Sequence, residues 1–320
     1  MKKISKEHSW IITDGTKGME NQSIALAKLL NVTFDLILFQ PPYLLRQFPI
    51  LGVCFPKSLI NISFEKRAPA QFLITTGKRM AGISIFLKRS FKNKIKTIHI
   101  QNPKVSSNYF DLLIIPEHDK INGKNIIQTK GALSFFDKEV FQKSNKTISK
   151  TNAYSSKLIV LALIGGDNKR YNFKNTDYYN LGLQIAKASK DTNTKLIVST
   201  SRRTSLRGIK VLNSVFKKYH NDFFLWAGKG QNPYPDILKS TNYVIVTSDS
   251  VNMISEAASL NLPLFVAYIN KEKGKMSIFL KDLEKLNIVQ NFEEELFNYN
   301  KVQLETNSKT SLKVNKFFRT

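Results

Sequence analysis

Leu158-Ile159-Val160-Leu161-Ala162-Leu163-Ile164-Gly165-Gly166 decides how this 320-residue chain is read. A short, unbroken apolar run closed by two glycines reads as a strand. A helical pattern follows over about 177–190. Strands at 195–200, 223–226, 243–247 and 263–267 then each precede a helix, at 206–219, 235–239, 251–260 and 277–286. Strand–helix repeats of this length favour a parallel, doubly wound sheet. Such sheets bind ligands at the carboxyl ends of their strands. The loops after these strands are therefore where chemistry is sought.

Upstream the pattern is looser but of the same kind. Strands are expected at 10–13, 33–39, 72–75, 96–101 and 112–115, with a helix at 20–30 and another through the basic run that starts at Lys78. Residues 41–56 hold Pro41, Pro42, Pro49 and Pro56 and read as an irregular loop. Polar residues 141–157 read as a domain linker. The expected fold is α/β with two Rossmann-like, doubly wound domains facing a cleft. The first spans 1–150 and the second 151–290, and a helical tail over 291–320 packs back on the first.

Composition narrows the function classes. There are 49 Lys+Arg against 24 Asp+Glu, a formal charge of +25, with 14 of the excess in residues 1–150 and 11 after them. An anionic partner is expected: nucleic acid, a phosphorylated ligand or a lipid surface. Hydrophobic residues make up 42%, enough for packed cores. The single cysteine, Cys54, excludes a disulfide framework. His8, His99, His118 and His220 are too scattered for a metal site, and none is expected. No apolar run approaches the roughly 18 residues of a membrane span. The stretch Lys78–Lys96 carries seven basic residues and no acid, interleaved with Met80, Ile83, Ile85, Phe86, Leu87 and Phe91. It reads either as an amphipathic helix on anionic lipid or as a solvated face. The expected location is cytoplasmic, with peripheral attachment to the inner face of the membrane if the lipid reading holds.

The strand-end loops supply the candidate site. Asp14-Gly15-Thr16-Lys17-Gly18-Met19-Glu20-Asn21-Gln22 sets two glycines at a strand-to-helix turn, either to admit a ligand or to serve the turn alone. Gly77, Lys78 and Arg79 repeat that logic. Gly165 and Gly166 either admit a bound group or make room for a turn. Ser201, Arg202 and Arg203 can donate several charge-assisted hydrogen bonds to a diphosphate. Trp226, Gln231 and Asn232 lie in a glycine- and proline-rich loop suited to a flat base, or to turn chemistry alone. Ser248, Asp249, Ser250 and Asn252 sit at a helix start, where Ser250 is also a plausible N-cap. Glu256 follows about one and a half turns on. For acid–base work the candidates are Asp14, His118 and Asp119, the last two at another strand end. No Ser–His–Asp spacing, HExxH, CxxC or Asp-x-Asp is present.

These blocks together resemble the "elongated mitochondria" fission family of plants and its bacterial relatives, from about Trp10 to about Leu280. Trp226…Gly228…Gly230…Asn232-Pro233-Tyr234 and Thr247…Asp249-Ser250-Val251…Met253…Ser255-Glu256-Ala257 are the most specific carriers. Lys78 stands where an arginine is expected, and Asn261-Leu262-Pro263 where relatives tend to have Gly-Lys-Pro. The resemblance implies a glycosyltransferase-B-like fold, with acceptor in the first domain and nucleotide-sugar in the second. Bacterial members often carry an epimerase label, which fits poorly with the missing GxGxxG and Tyr-x-x-x-Lys. Plant members are described as adaptors at the mitochondrial surface.

The resulting expectation is a metal-independent glycosyltransferase in cell-envelope or lipid-linked sugar assembly, with a non-catalytic membrane-surface adaptor as the alternative. Its donor would be a nucleoside-diphosphate sugar and its acceptor side an anionic or lipid-linked group; no cofactor and no nucleic acid are expected. Gly165, Gly166, Ser201, Arg202, Arg203, Trp226, Gln231, Asn232, Ser248, Asp249, Ser250, Asn252 and Glu256 would form the nucleotide-sugar side. Gly15, Gly18, Glu20, Asn21, Gly77, Lys78 and Arg79 would form the acceptor side.

Overall fold

Trp10 and Ile12 point to one side of a strand and Ile11 to the other, and both sides are core. This double burial is why the first strand reads as continuous apolar sequence rather than as alternation. In the computed structural model, residues 7–62, 69–134, 157–191, 194–230, 237–238, 240–269 and 272–319 are described. The linker expected at 141–157 falls almost wholly outside them, as do Gln231, Asn232 and most of the helix expected at 235–239.

Two units are formed, Met1–Phe135 with Glu305–Thr320, and Phe136–Leu304. The first contains β1 (His8–Thr13), α1 (Lys17–Leu29), β2 (Thr33–Leu38), α2 (Tyr43–Gln47), β3 (Phe72–Thr76), α3 (Lys78–Ser90), β4 (Lys96–Ile100), β5 (Leu112–Pro116) and β6 (Ile126–Thr129). Its strands form a six-stranded parallel sheet in the order β2-β1-β3-β4-β5-β6. The order reverses between β1 and β3, so the crevice beyond their carboxyl ends lies between the loops at Asp14 and Gly77.

The second unit contains β7 (Leu158–Ile164), α4 (Asn175–Asp191), β8 (Thr194–Thr200), α5 (Leu206–Tyr219), β9 (Phe223–Trp226), β10 (Tyr243–Thr247), α6 (Val251–Ala258), β11 (Leu264–Ala267), α7 (Gly274–Lys285) and β12 (Gln290–Asn291). Its sheet is also parallel, in the order β12-β11-β10-β7-β8-β9. Along β7, Ile159, Leu161 and Leu163 enter one core while Val160, Ala162 and Ile164 enter the other. Here the reversal falls between β7 and β10. It brings the Gly165-Gly166 turn beside the Ser248-Asp249-Ser250 turn.

The last helix, α8 (Thr306–Arg319), belongs to the first unit. Val314 is buried beside Leu26 and Phe72, and the Phe318 ring lies 5.2 Å from that of Phe72. Residues 291–304 stay with the second unit, where Phe292 and Leu304 are buried. The boundary expected at 291 therefore falls at 305. The loop expected at 41–56 contains α2 and a 3-10 helix, Pro49–Val53.

Candidate functional site

Asp249 organises the second unit's crevice. Its carboxylate is wholly buried and accepts three hydrogen bonds. Thr247 Oγ1 donates at 2.6 Å, Arg203 Nη2 at 2.6 Å and the Gly166 N–H at 3.3 Å. Arg203 also donates from Nη1 to the Gly166 carbonyl at 3.0 Å. Glycine is required at both positions of the β7 turn. A Cβ on Gly165 would sit 2.0 Å from Asp249 Oδ1, and one on Gly166 would sit 2.1 Å from the Arg203 carbonyl. The group these glycines admit is thus internal: the Asp249 carboxylate and the Arg203 backbone. Arg203 is committed to Asp249, whereas Arg202, one residue back, is exposed and has no ion pair among the described residues. Ser201 closes its own loop, accepting from the Arg203 N–H at 3.1 Å while its own N–H donates to Thr204 Oγ1 at 3.0 Å.

The helix that leaves this turn begins at Val251. Ser250 is its N-cap and accepts from the Met253 N–H at 3.4 Å, so the capping reading of Ser250 holds. The first turn of an α-helix leaves N–H groups without intrahelical acceptors, facing outward from the crevice-side end. Ser248 is buried, and its hydroxyl donates to Glu272, which also accepts from the Tyr171 hydroxyl. Burial first, and then the Glu272 carboxylate, push the Tyr171 hydroxyl pKa well up and keep it a donor. Tyr171 and Glu272 carry no sequence signal, since 101 residues separate them. Asn252 and Glu256 share a helix face at i, i+4 spacing. Glu256 is half-buried, its carboxyl has no partner among the described residues, and burial pushes its pKa up to about 8. Trp226 ends the edge strand β9. Its indole N–H is buried without a partner among the described residues, and the loop beyond it turns at Gly228 and Gly230, both at positive φ.

In the first unit, Gly15 (φ +81°) and Gly77 (φ +84°) make the two turns flanking the β1/β3 reversal. Asp14 Oδ1 accepts from the Thr16 N–H at 3.0 Å, and Arg79 Nη1 donates to Oδ2 at 3.3 Å. Burial raises the Asp14 pKa, but the Thr16 bonds and the Arg79 charge outweigh it and hold the carboxyl below its ordinary range. A carboxylate so held is a weak base. Lys17 Nζ lies 2.5 Å from the buried Glu20. Gly18 accepts from Gln22 Nε2 at 3.1 Å, Asn21 is half-buried on α1, and Lys78 is exposed at the start of α3. His118 and Asp119 lie in the 3-10 turn Glu117–Asp119, after β5. Three strand spacings separate β5 from β1, roughly 14 Å. Asp14 and His118 are therefore not brought together.

The lipid-facing reading of Lys78–Lys96 is corrected. All eight residues from Met80 to Leu87 are buried. The chain over 42–53 lies across α3 at a glycine crossing, where a Cβ on Gly52 would sit 2.4 Å from the Gly82 carbonyl. The apolar side chains of the run are core, and Lys88 is paired with Asp111 at 3.1 Å.

Two parallel, doubly wound units with crevices at their order reversals define a protein of the glycosyltransferase-B-like fold class. The fold is similar to that of UDP-GlcNAc 2-epimerase from Methanocaldococcus jannaschii, solved with UDP-GlcNAc and UDP (TM-score 0.56, 13% identity, 98% of this chain and 99% of that one). It is similar also to UDP-GlcNAc 2-epimerase from Neisseria meningitidis bound to UDP-GlcNAc (TM-score 0.52, 13% identity, 98% and 92%). The chain belongs to the family described as Mitochondrial fission ELM1, which matches residues 17–316. Rickettsia prowazekii (strain Madrid E) protein RP120 is 29% identical, over 90% of this chain and 91% of that one. Mitochondrial fission protein ELM1 of Arabidopsis thaliana is 26% identical over 74% of this chain and 61% of its own length.

Proposed function

We propose that the second unit binds a nucleoside-diphosphate sugar and that the protein is a metal-independent glycosyltransferase of envelope or lipid-linked sugar assembly. The observation that carries the reading is Glu256. It is a half-buried carboxyl with no partner among the described residues, about one and a half turns along α6 from the amides that open it. A carboxyl kept there has paired hydroxyls, such as those of a ribose, as its natural complement. Arg202 and the first-turn amides of α6 would offset the charge that develops on the diphosphate as the sugar–phosphate bond breaks. Trp226 would wall the base. Arg203 and Asp249 position this loop rather than touch the ligand. The UDP-GlcNAc named with the two similar structures supports a nucleotide-sugar in general.

The test is thermal stabilisation of the full chain by uridine and cytidine diphosphates and their sugars. Above about pH 8, where the Glu256 carboxyl is ionised, Arg202→Ala and Glu256→Gln are each expected to weaken binding about tenfold or more, the loss of one charge-assisted hydrogen bond. Absence of stabilisation by every nucleotide would overturn the reading.

A second reading, a non-catalytic adaptor at a membrane surface, is favoured by the first unit. Its best-placed carboxylate, Asp14, is consumed by Thr16 and Arg79 and held below its ordinary range. Nucleotide binding without transfer to any acceptor would favour it.

A further inference from the structure

The segment that covers α3 has two unlike faces. Its inner stripe, Leu45, Pro49 and Gly52, is buried against that helix. Its outer face is exposed and largely apolar, interrupted by Gln47, Lys57 and Ser58. Tyr43 is 64% exposed, Leu44 51% and Phe48 57%, with Ile50 and Val53 beside them and Leu59 at 60% a short turn further on. An apolar face of this length turned outward marks an interaction site rather than scattered surface hydrophobics. The charge around it is one-sided. From Leu36 to Phe64 there is no acidic residue, while Arg46 and Lys57 are basic. Arg89 reaches over from α3 and donates to the Val53 carbonyl, and the exposed Lys92 follows it.

We propose that this outer face, Tyr43–Leu59, docks the protein on an anionic lipid surface. Aromatic and aliphatic side chains enter the headgroup boundary while Arg46, Lys57 and Arg89 meet lipid phosphates. Lipid contact thus shifts from the basic run 78–96, whose apolar residues are core, to the segment lying over it. The proposal is independent of the nucleotide site, so each can fail alone.

The experiment is co-sedimentation of the full chain with vesicles of equal parts phosphatidylglycerol and phosphatidylcholine, against phosphatidylcholine alone. Binding to the anionic vesicles is expected, weakened by salt and by Arg46→Glu with Lys57→Glu. Leu44→Asp with Phe48→Asp is expected to reduce it about tenfold or more, with far-UV circular dichroism and the melting temperature unchanged because both side chains are exposed. In a second variant, Phe48→Trp, tryptophan fluorescence is expected to shift to the blue on the anionic vesicles and to be quenched by brominated lipid. The proposal is overturned if the full chain does not sediment with anionic vesicles, or if the double aspartate variant binds as well as the parent. It is overturned too if this face instead holds a second copy of the chain, seen as a concentration-dependent dimer that the double variant abolishes without any vesicle binding. Nucleotide stabilisation of the same double variant is expected to stay intact.

Discussion

Asp249 shows how a residue with the composition of a ligand contact serves the scaffold. Its carboxylate has no solvent exposure and satisfies Thr247, Arg203 and the Gly166 amide at once. Asp249→Ala would strand the Arg203 guanidinium and two buried donors, and is expected to cost about 3 kcal/mol in urea unfolding. Glu256 is the opposite case, because its carboxyl lacks a partner among the described residues. Its pKa rises from an ordinary 4.5 to about 8 in the folded chain. Protonation there therefore contributes stability that is complete below about pH 4.5 and is lost as pH rises through about 8. Glu256→Gln is expected to flatten the fall in stability across that window, leaving the variant more stable than the parent above it. Urea midpoints at both ends of the window check this, and equal slopes in both proteins would contradict it. The strand-end turns are legible in sequence because glycines close the apolar runs, as at Gly77 and at Gly165-Gly166. That Arg203 is spent on Asp249 was not legible, since 46 residues separate the pair and only the sheet order joins them.

At the scale of elements, α3 is the instructive one. Its charges suggested a helix with one wet and one greasy face, yet every residue from Met80 to Leu87 is enclosed. Sequence periodicity describes one helix, and whether its second face is covered depends on a segment about 30 residues upstream. The crossing at Gly52 and Gly82 lets that segment approach. Gly82→Val would place side-chain atoms against the Leu45 carbonyl, already 2.7 Å from an added Cβ. It is expected to lower stability by about 1–3 kcal/mol, as overpacking does, and to speed proteolysis within 42–53. Unchanged stability would mean the crossing is loose. The strands were easier to read. Central parallel strands are buried on both faces, so β7 and β10 announce themselves as near-continuous apolar runs. The two-residue β12 and the four-residue β6 are too short to stand out.

For the molecule as a whole, the charge of +25 divides by place. Part is internal bookkeeping: Arg203 answers Asp249, and Lys88 answers Asp111. Part borders the apolar face over α3, and part stands on the loops after β7 and β8, where Lys169, Arg170 and Arg202 are exposed. The chain forms two doubly wound units, and no helix among the described residues is long and apolar enough to cross a membrane. The ligand proposed for the second unit is a nucleoside diphosphate held at the β7/β10 reversal. The most direct measurement is a calorimetric titration of the full chain, above about pH 8, with uridine and cytidine diphosphates, repeated on Arg202→Ala and Glu256→Gln. Saturable binding of at least one diphosphate, weakened about tenfold in each variant, is the predicted result; no binding by the parent, or binding indifferent to both substitutions, would contradict it.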